Sequence, residues 1–220
     1  MEELSINSYL KNGHEFHLYT YDEHIKAPKG TLLYDANEIV ERKSMDENIL
    51  LDVFRYQLLY LQGGWWANLD TICLKTFSFK ANYIFSKILD YDNLSGIDSP
   101  VKLGTHIMKA PVSAGFLYDY INYFRLKGIS NITEYELTST FFNKVISNYN
   151  HKYYSKSVNT FNPFHYHEVY EFVKQNENIN FNKKVFAITL WKEMWLKMKL
   201  DTNKTYHKNS IYEQLKRMYL

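Results

Sequence analysis

Residues 46–70 constrain the fold of this chain more than any other stretch. Asp46 precedes a run in which Leu50, Val53, Phe54, Leu58 and Leu61 recur every three or four positions. That spacing predicts a helix capped by Asp46 and running to about Gln62. Gly63-Gly64 stops it with a tight turn. Trp65 to Asp70 then reads as a buried strand with a polar end. Asp52 and Arg55, three apart, share one helix face. Period-two alternation puts Trp66, Asn68 and Asp70 on one side of the strand. A carboxylate at the carboxyl end of a central strand sits where open α/β sheets bind ligands.

The rest of the chain fits around this unit. Residues 2–11 predict a short helix ended by Asn12-Gly13, and residues 16–21 a strand. Pro28 to Gly30 marks a turn, Leu32-Leu33 is a short apolar piece, and Asp35-Ala36-Asn37 reads as a polar loop. A further strand is expected near Tyr83-Ile84-Phe85. Residues 91–104, with Gly96, Pro100 and Gly104, look like a loop. Residues 113–126 and 133–147 are helical in pattern, as are stretches near 186–199 and 209–219. In the penultimate stretch Ala187, Leu190, Trp191, Met194, Trp195 and Met198 form one core-facing stripe. Lys192, Lys197 and Lys199 on it offer a second reading, peripheral contact with a membrane surface. Helices between strands, with no repeat or linker, predict a single α/β domain over 1–220 around a mostly parallel sheet.

Composition narrows the function classes. A formal net charge of +2, with charges of both signs mixed along the chain, leaves no field to gather nucleic acid. Cys73 is the lone cysteine, which excludes an intramolecular disulfide and a cysteine-based zinc site; it reads most simply as a small buried hydrophobe. No apolar run has membrane-spanning length. Met1-Glu2-Glu3-Leu4 lacks the pattern of a signal peptide, so a cytoplasmic location is expected, with peripheral membrane contact at most. Asn-x-Ser/Thr matches at Asn93, Asn131 and Asn203 are expected by chance in a chain this rich in Asn.

The block Asp52-x-x-Arg55-Tyr56, Gly63-Gly64, Trp65-Trp66, Asn68-x-Asp70 resembles a large glycosyltransferase family. Its members carry Asp-x-x-Arg-Tyr, Gly-Gly, an aromatic and an Asp-x-Asp. The family includes fungal Golgi mannosyltransferases, α-1,4-galactosyl- and N-acetylglucosaminyltransferases, and bacterial capsule and lipopolysaccharide enzymes. Residues 13–19, 35–39, 107–111 and 190–195 look like further blocks of it. The resemblance implies a GT-A-like fold, a mixed sheet flanked by helices. It also implies transfer of a hexose from a nucleotide sugar to a glycan or lipid-linked acceptor, in polysaccharide synthesis, with retention at the sugar carbon. Mn²⁺ or Mg²⁺ would neutralise the leaving diphosphate. By the same resemblance Asp70 would be the main metal ligand, with Asn68 assisting. Asp52 and Arg55 would hold the donor, and Gly63 and Gly64 would shape the turn beside it. No catalytic base is named.

Four departures point toward a second reading, a catalytically degenerate relative that binds a sugar or a partner. Asn68 stands where the motif has its first Asp. Thr189 stands where the family often has a His, and Thr105 where an Asn is common. The chain also begins after the family's usual first strand, and an open sheet edge there would make self-association unsurprising. Three plainer readings stand beside these. Asp52–Arg55 also suits an ordinary surface pair. Trp65 and Trp66 point to opposite faces, one to core and the other to the donor pocket. His165-Tyr166-His167 has the spacing that places two imidazoles on one side of a strand; a surface or packed pair fits it best, with a substitute metal ligand as the rival.

Overall fold

A computed structural model describes residues 1–42, 46–89, 101–150, 154–176 and 181–220. The strands are β1 (Phe16–Thr20), β2 (Thr31–Asp35), β3 (Gly64–Ala67), β4 (Thr71–Cys73), β5 (Ile84–Leu89), β6 (Val101–Ala110) and β7 (Ala187–Thr189). The α-helices are α1 (Glu2–Lys11), α2 (Glu47–Gln62), α3 (Gly115–Lys127), α4 (Ser139–Ile146), α5 (Val158–Phe161), α6 (Lys192–Lys197) and α7 (Ile211–Tyr219). The protein is a mixed α/β structure, but its sheets correct the expectation of one mostly parallel sheet. Among the described residues they are three small ones: β1-β2, β3-β6-β5 and β4-β7. Only β1-β2 is parallel.

The helix–turn unit forms as its residues dictate. The Asp46 carboxylate accepts from the backbone N–H of Asn48 at 2.8 Å and of Ile49 at 3.4 Å, capping α2. Gly63 ends it at φ +64°. A Cβ there would lie 2.7 Å from the Val112 backbone nitrogen, so close approach as well as conformation demands glycine. The strand after it is shorter than expected. β3 stops at Ala67, and Asn68 to Asp70 turn the chain into β4, so strand alternation does not reach Asn68 and Asp70.

Elsewhere residues 101–104, expected as loop, begin the ten-residue β6. Gly104 is tolerated there because the strand crowds it: a Cβ would sit 2.9 Å from Ile88 Cγ2. Residues 91–100 lie outside the described residues, Asn93 among them. The stretch 133–147 is a 3₁₀ turn at Glu134–Leu137 followed by α4. The helix expected near 186–199 is instead β7, a link and α6, so Ala187 packs from a strand and Trp195 from a helix. Trp191, at φ +60°, is where the two separate.

Three apolar clusters hold the elements. Tyr56, Leu59, Phe116, Tyr120 and Phe142 pack α2, α3 and α4 against β5 and β6. Leu4, Ile72, Ile188, Trp195, Tyr212 and Leu215 join α1, α6 and α7 to β4 and β7. Tyr9, Cys73, Phe77, Ile107 and Phe161 fill the space between; Cys73 is fully buried, as a small hydrophobe should be. No described helix is long and apolar enough to cross a membrane.

Candidate functional site

The β3–β4 corner is held from two sides. The Asn68 backbone N–H donates to the carbonyl of His106 at 2.8 Å, continuing the β3–β6 ladder by one bond. The Asp70 carbonyl accepts from Leu190 N–H at 2.8 Å, and its Oδ2 accepts from Lys192 N–H at 3.1 Å. Trp191, lying between those two donors in the left-handed region, lets both amides face Asp70. The corner is thereby fixed by two sequence-distant segments, β6 through Asn68 and residues 190–192 through Asp70.

These segments enclose a cavity of about 530 Å³ lined by Asn68, Asp70, His106, His167, Trp191 and Lys197, among others. That is the size of a small-molecule pocket, roughly 300–1,000 Å³. Its walls mix aromatic surface, one carboxylate from the corner, imidazoles and a lysine. The His106 ring meets Trp191 edge-on, with centroids 4.7 Å apart.

The polar atoms here are paired unevenly. Buried side-chain polar atoms in folded proteins nearly always have a partner. Among the described residues four lack one within the protein: Thr31 Oγ1, Arg55 Nε, Asp70 Oδ1 and His106 Nδ1. The last three form one electrostatic group. Burial holds His106 below the usual imidazole value, Asp70 opposes that shift, and Arg55 adds to it.

The expected site residues divide between the cavity and the layer behind it. Asn68 and Asp70 line the cavity together. The Asn68 amide oxygen already accepts from Trp66 Nε1 at 2.8 Å. Asp52 and Arg55 are no surface pair: both are buried, 2.9 Å apart. Burial raises the Asp52 carboxyl, and the Arg55 charge lowers it only in part. The guanidinium lies over the Trp66 ring at 5.2 Å, so the pair stands behind Trp66 rather than on the cavity wall. Gly63 and Gly64 shape the approach to β3 without reaching the cavity. Trp65 packs among Phe77, Phe79 and Phe161, and Trp66 against Phe54. The tryptophan on the cavity wall is Trp191.

Thr189 is fully buried in β7, and its hydroxyl donates to the Asn162 side-chain oxygen. The 165–167 segment is not a strand. His165 caps a 3₁₀ segment over Tyr166–Phe172, its Nδ1 accepting from His167 N–H at 3.2 Å. Its Nε2 meets the Leu89 carbonyl at 3.2 Å. His165 is thus structural, and His167 reaches the cavity. His106 escapes notice in the sequence because residues before 105 read as loop; antiparallel pairing of β3 with β6 is the signal that places it beside Asn68.

Does this site suit a divalent cation? No group of three or more His, Cys, Asp or Glu at metal-binding proximity occurs among the described residues. Asp70 Oδ1 and His106 Nδ1 are nonetheless buried, unpartnered atoms of two residues that line one cavity, an oxygen and a nitrogen of ligating type. Asn68 retains a second lone pair. Such a set fits a cation that draws its remaining ligands from a phosphorylated molecule. No known protein family matches the chain, and neither does any curated protein.

Proposed function

We propose that the protein is a glycosyltransferase of GT-A-like fold that moves a hexose from a nucleotide sugar to a glycan or lipid-linked acceptor. The observation that carries this reading is that Asp70 and His106, which line one small-molecule-sized cavity, and Arg55 in the layer behind it each hold a buried polar atom without a partner in the protein. A donor diphosphate with its cation brings both charges that such a group requires. The resemblance of residues 52–70 to the Asp-x-x-Arg, Gly-Gly, Asp-x-Asp block supports the same assignment.

In this reading Asp70 and, weakly, Asn68 hold Mn²⁺ or Mg²⁺, whose chemistry is to neutralise charge on the departing nucleoside diphosphate. Lys197 faces the phosphates from α6. Trp191 offers a ring face to the sugar or base. Asp52 and Arg55 act from behind Trp66, Arg55 by its fixed positive charge. Leaving-group stabilisation is the contribution these residues explain.

A second reading, a non-catalytic relative that binds a sugar or a partner, draws on two observations. The Asn68 oxygen is shared with Trp66, and Thr189 is turned into the core. Calorimetry with UDP- and GDP-hexoses, with and without Mn²⁺, separates the two. The transferase reading predicts a donor whose binding needs Mn²⁺, is lost in Asp70→Ala, and is followed by slow hydrolysis or transfer. Binding of free glycan but of no nucleotide sugar would replace it with the second.

A further inference from the structure

We propose that the outer edge of β2 is a self-association surface, on which a second copy of this chain adds its own β2 in antiparallel, two-fold pairing. The parallel pair β1-β2 stands apart from the other two sheets, and among the described residues no further strand pairs with β2. Two strands alone are marginal; three or more with an apolar face are needed for independent stability. Water-exposed edges are commonly guarded by an internal lysine, a proline or a bulge. β2, Thr31-Leu32-Leu33-Tyr34-Asp35, has none of these: its register with β1 is unbroken, and its one charge lies at its end.

Leu32, Leu33 and Tyr34 are 41%, 49% and 37% exposed. Successive strand side chains point to opposite faces, so β2 shows apolar surface on both faces as well as along its edge. A second β2 centred on Leu33 answers both faces at once. Leu33 then meets the partner's Leu33 on one face, and each Leu32 meets the partner's Tyr34 on the other. Aromatic and aliphatic cross-strand pairs of this kind stabilise sheets. The Tyr34 ring is held for such a contact by stacking with Tyr19 at 4.9 Å and His17 at 5.2 Å. Charge selects the direction. Exposed Lys26 and Lys29 precede β2, and exposed Asp35 and Glu38 end and follow it. Antiparallel pairing sets the basic end of each strand beside the acidic end of the other, with Lys29 diagonal to the partner's Asp35. Parallel pairing would align like charges. The contact uses the same patch on both copies, so it closes as a dimer with the strand order β1-β2-β2-β1.

Sedimentation equilibrium of the full chain should show a concentration-dependent dimer. Leu33→Lys sets two ammonium groups against each other at the axis and should leave a monomer with an unchanged circular dichroism spectrum. Leu126→Lys, at an exposed position of α3, should leave the dimer intact. Mild oxidation should link Leu33→Cys into a disulfide-bonded dimer but not Leu32→Cys. A disulfide needs Cα atoms within about 7 Å, and position 32 lies only diagonal to itself across the axis. Cys73 is buried and stays out of the reaction. Lys29→Glu should weaken association several-fold, and adding Asp35→Lys to it should restore the dimer. The cross-link decides even if Leu33→Lys fails to fold. A monomer at every concentration would overturn the proposal and leave the edge of β2 to a strand of another protein. A dimer that survives Leu33→Lys, or that cross-links through position 32 rather than 33, would overturn it as well.

Discussion

Two buried charged clusters in this protein are built from similar residues and completed in opposite ways. Around Glu136 every acceptor is used. Its carboxylate accepts from the Lys127 ammonium, from Tyr123 OH at 3.0 Å, from Thr133 N–H at 2.9 Å and from the Thr133 hydroxyl. Its carbonyl accepts from Tyr120 OH at 2.6 Å. At the cavity Asp70 and His106, and behind it Arg55, each leave a buried polar atom without a protein partner. A satisfied network ties elements together, here α3 to the 3₁₀ turn at 134–137. An unsatisfied one adds little to the fold and is costly to keep. The contrast teaches that burial of charge does not itself mark a site; incomplete pairing of buried charge is the better sign.

The largest expected effect tests the layer behind the cavity. Asp52→Ala leaves the Arg55 guanidinium buried without its ion partner and should cost about 3–5 kcal/mol in urea unfolding. A loss under about 1 kcal/mol would show that Arg55 finds another partner, and would dissolve the grouping with Asp70 and His106. Next comes Glu136→Ala. It strands the Thr133 and Tyr123 donors and should cost about 1–3 kcal/mol, with nucleotide-sugar and Mn²⁺ binding unchanged in titration calorimetry. Asp70→Ala should show the opposite pattern. Its lost bond to Lys192 N–H is offset by removal of an unpartnered buried oxygen, so stability should stay within about 1 kcal/mol of wild type. Mn²⁺-dependent binding should disappear. If the two variants behaved alike in both measurements, the division between structural and ligand-seeking clusters would be wrong.

Much of this contrast is local enough to read in the residues. Asp46 as a cap, the glycine stop after Gln62 and the helices over 2–11 and 209–219 depend on neighbours a few positions away, and they form where spacing predicts. Asn68 and Asp70 reach the cavity although the strand that was to carry them ends at Ala67, because both the turn and a longer strand lead to the same corner. What failed depends on distant partners. Residues 101–104 become strand since β5 pairs with them through Ser86, Lys87, Ile88 and Leu89, which overrides the loop signal of Gly104. The apolar stripe over 187–198 serves strand and helix equally well until Trp191 breaks it. His106 carries no motif, and only the β3–β6 register gives it a role. The burial of Asp52 and Arg55 comes from Trp66 and the packing around α2, which helix periodicity alone leaves open.

The smallest effect concerns pH and sharpens the comparison at the Glu136 end. The Lys127 ammonium first, then the Thr133 donors, hold the Glu136 carboxyl down at about 2, against an ordinary value of 4.5. A carboxylate whose folded-state value is depressed stabilises the fold fully above the unfolded-state value and loses that contribution as pH falls through the folded one. The stability gap between wild type and Glu136→Gln should therefore be flat from pH 7 to about 5. It should narrow below 4.5 and close near 2, in urea melts taken at each pH. At the cavity the sign for His106 is that of a depressed imidazole: neutrality is favoured when folded, so protonation of the unfolded chain draws stability down as pH drops below the usual histidine value of 6.5. Glu136→Gln should leave that loss between pH 7 and 5 in place, because the two groups titrate in separate windows. A Glu136→Gln gap that already changed between pH 7 and 5 would mean that its carboxylate is coupled to a histidine, and that the two clusters are one.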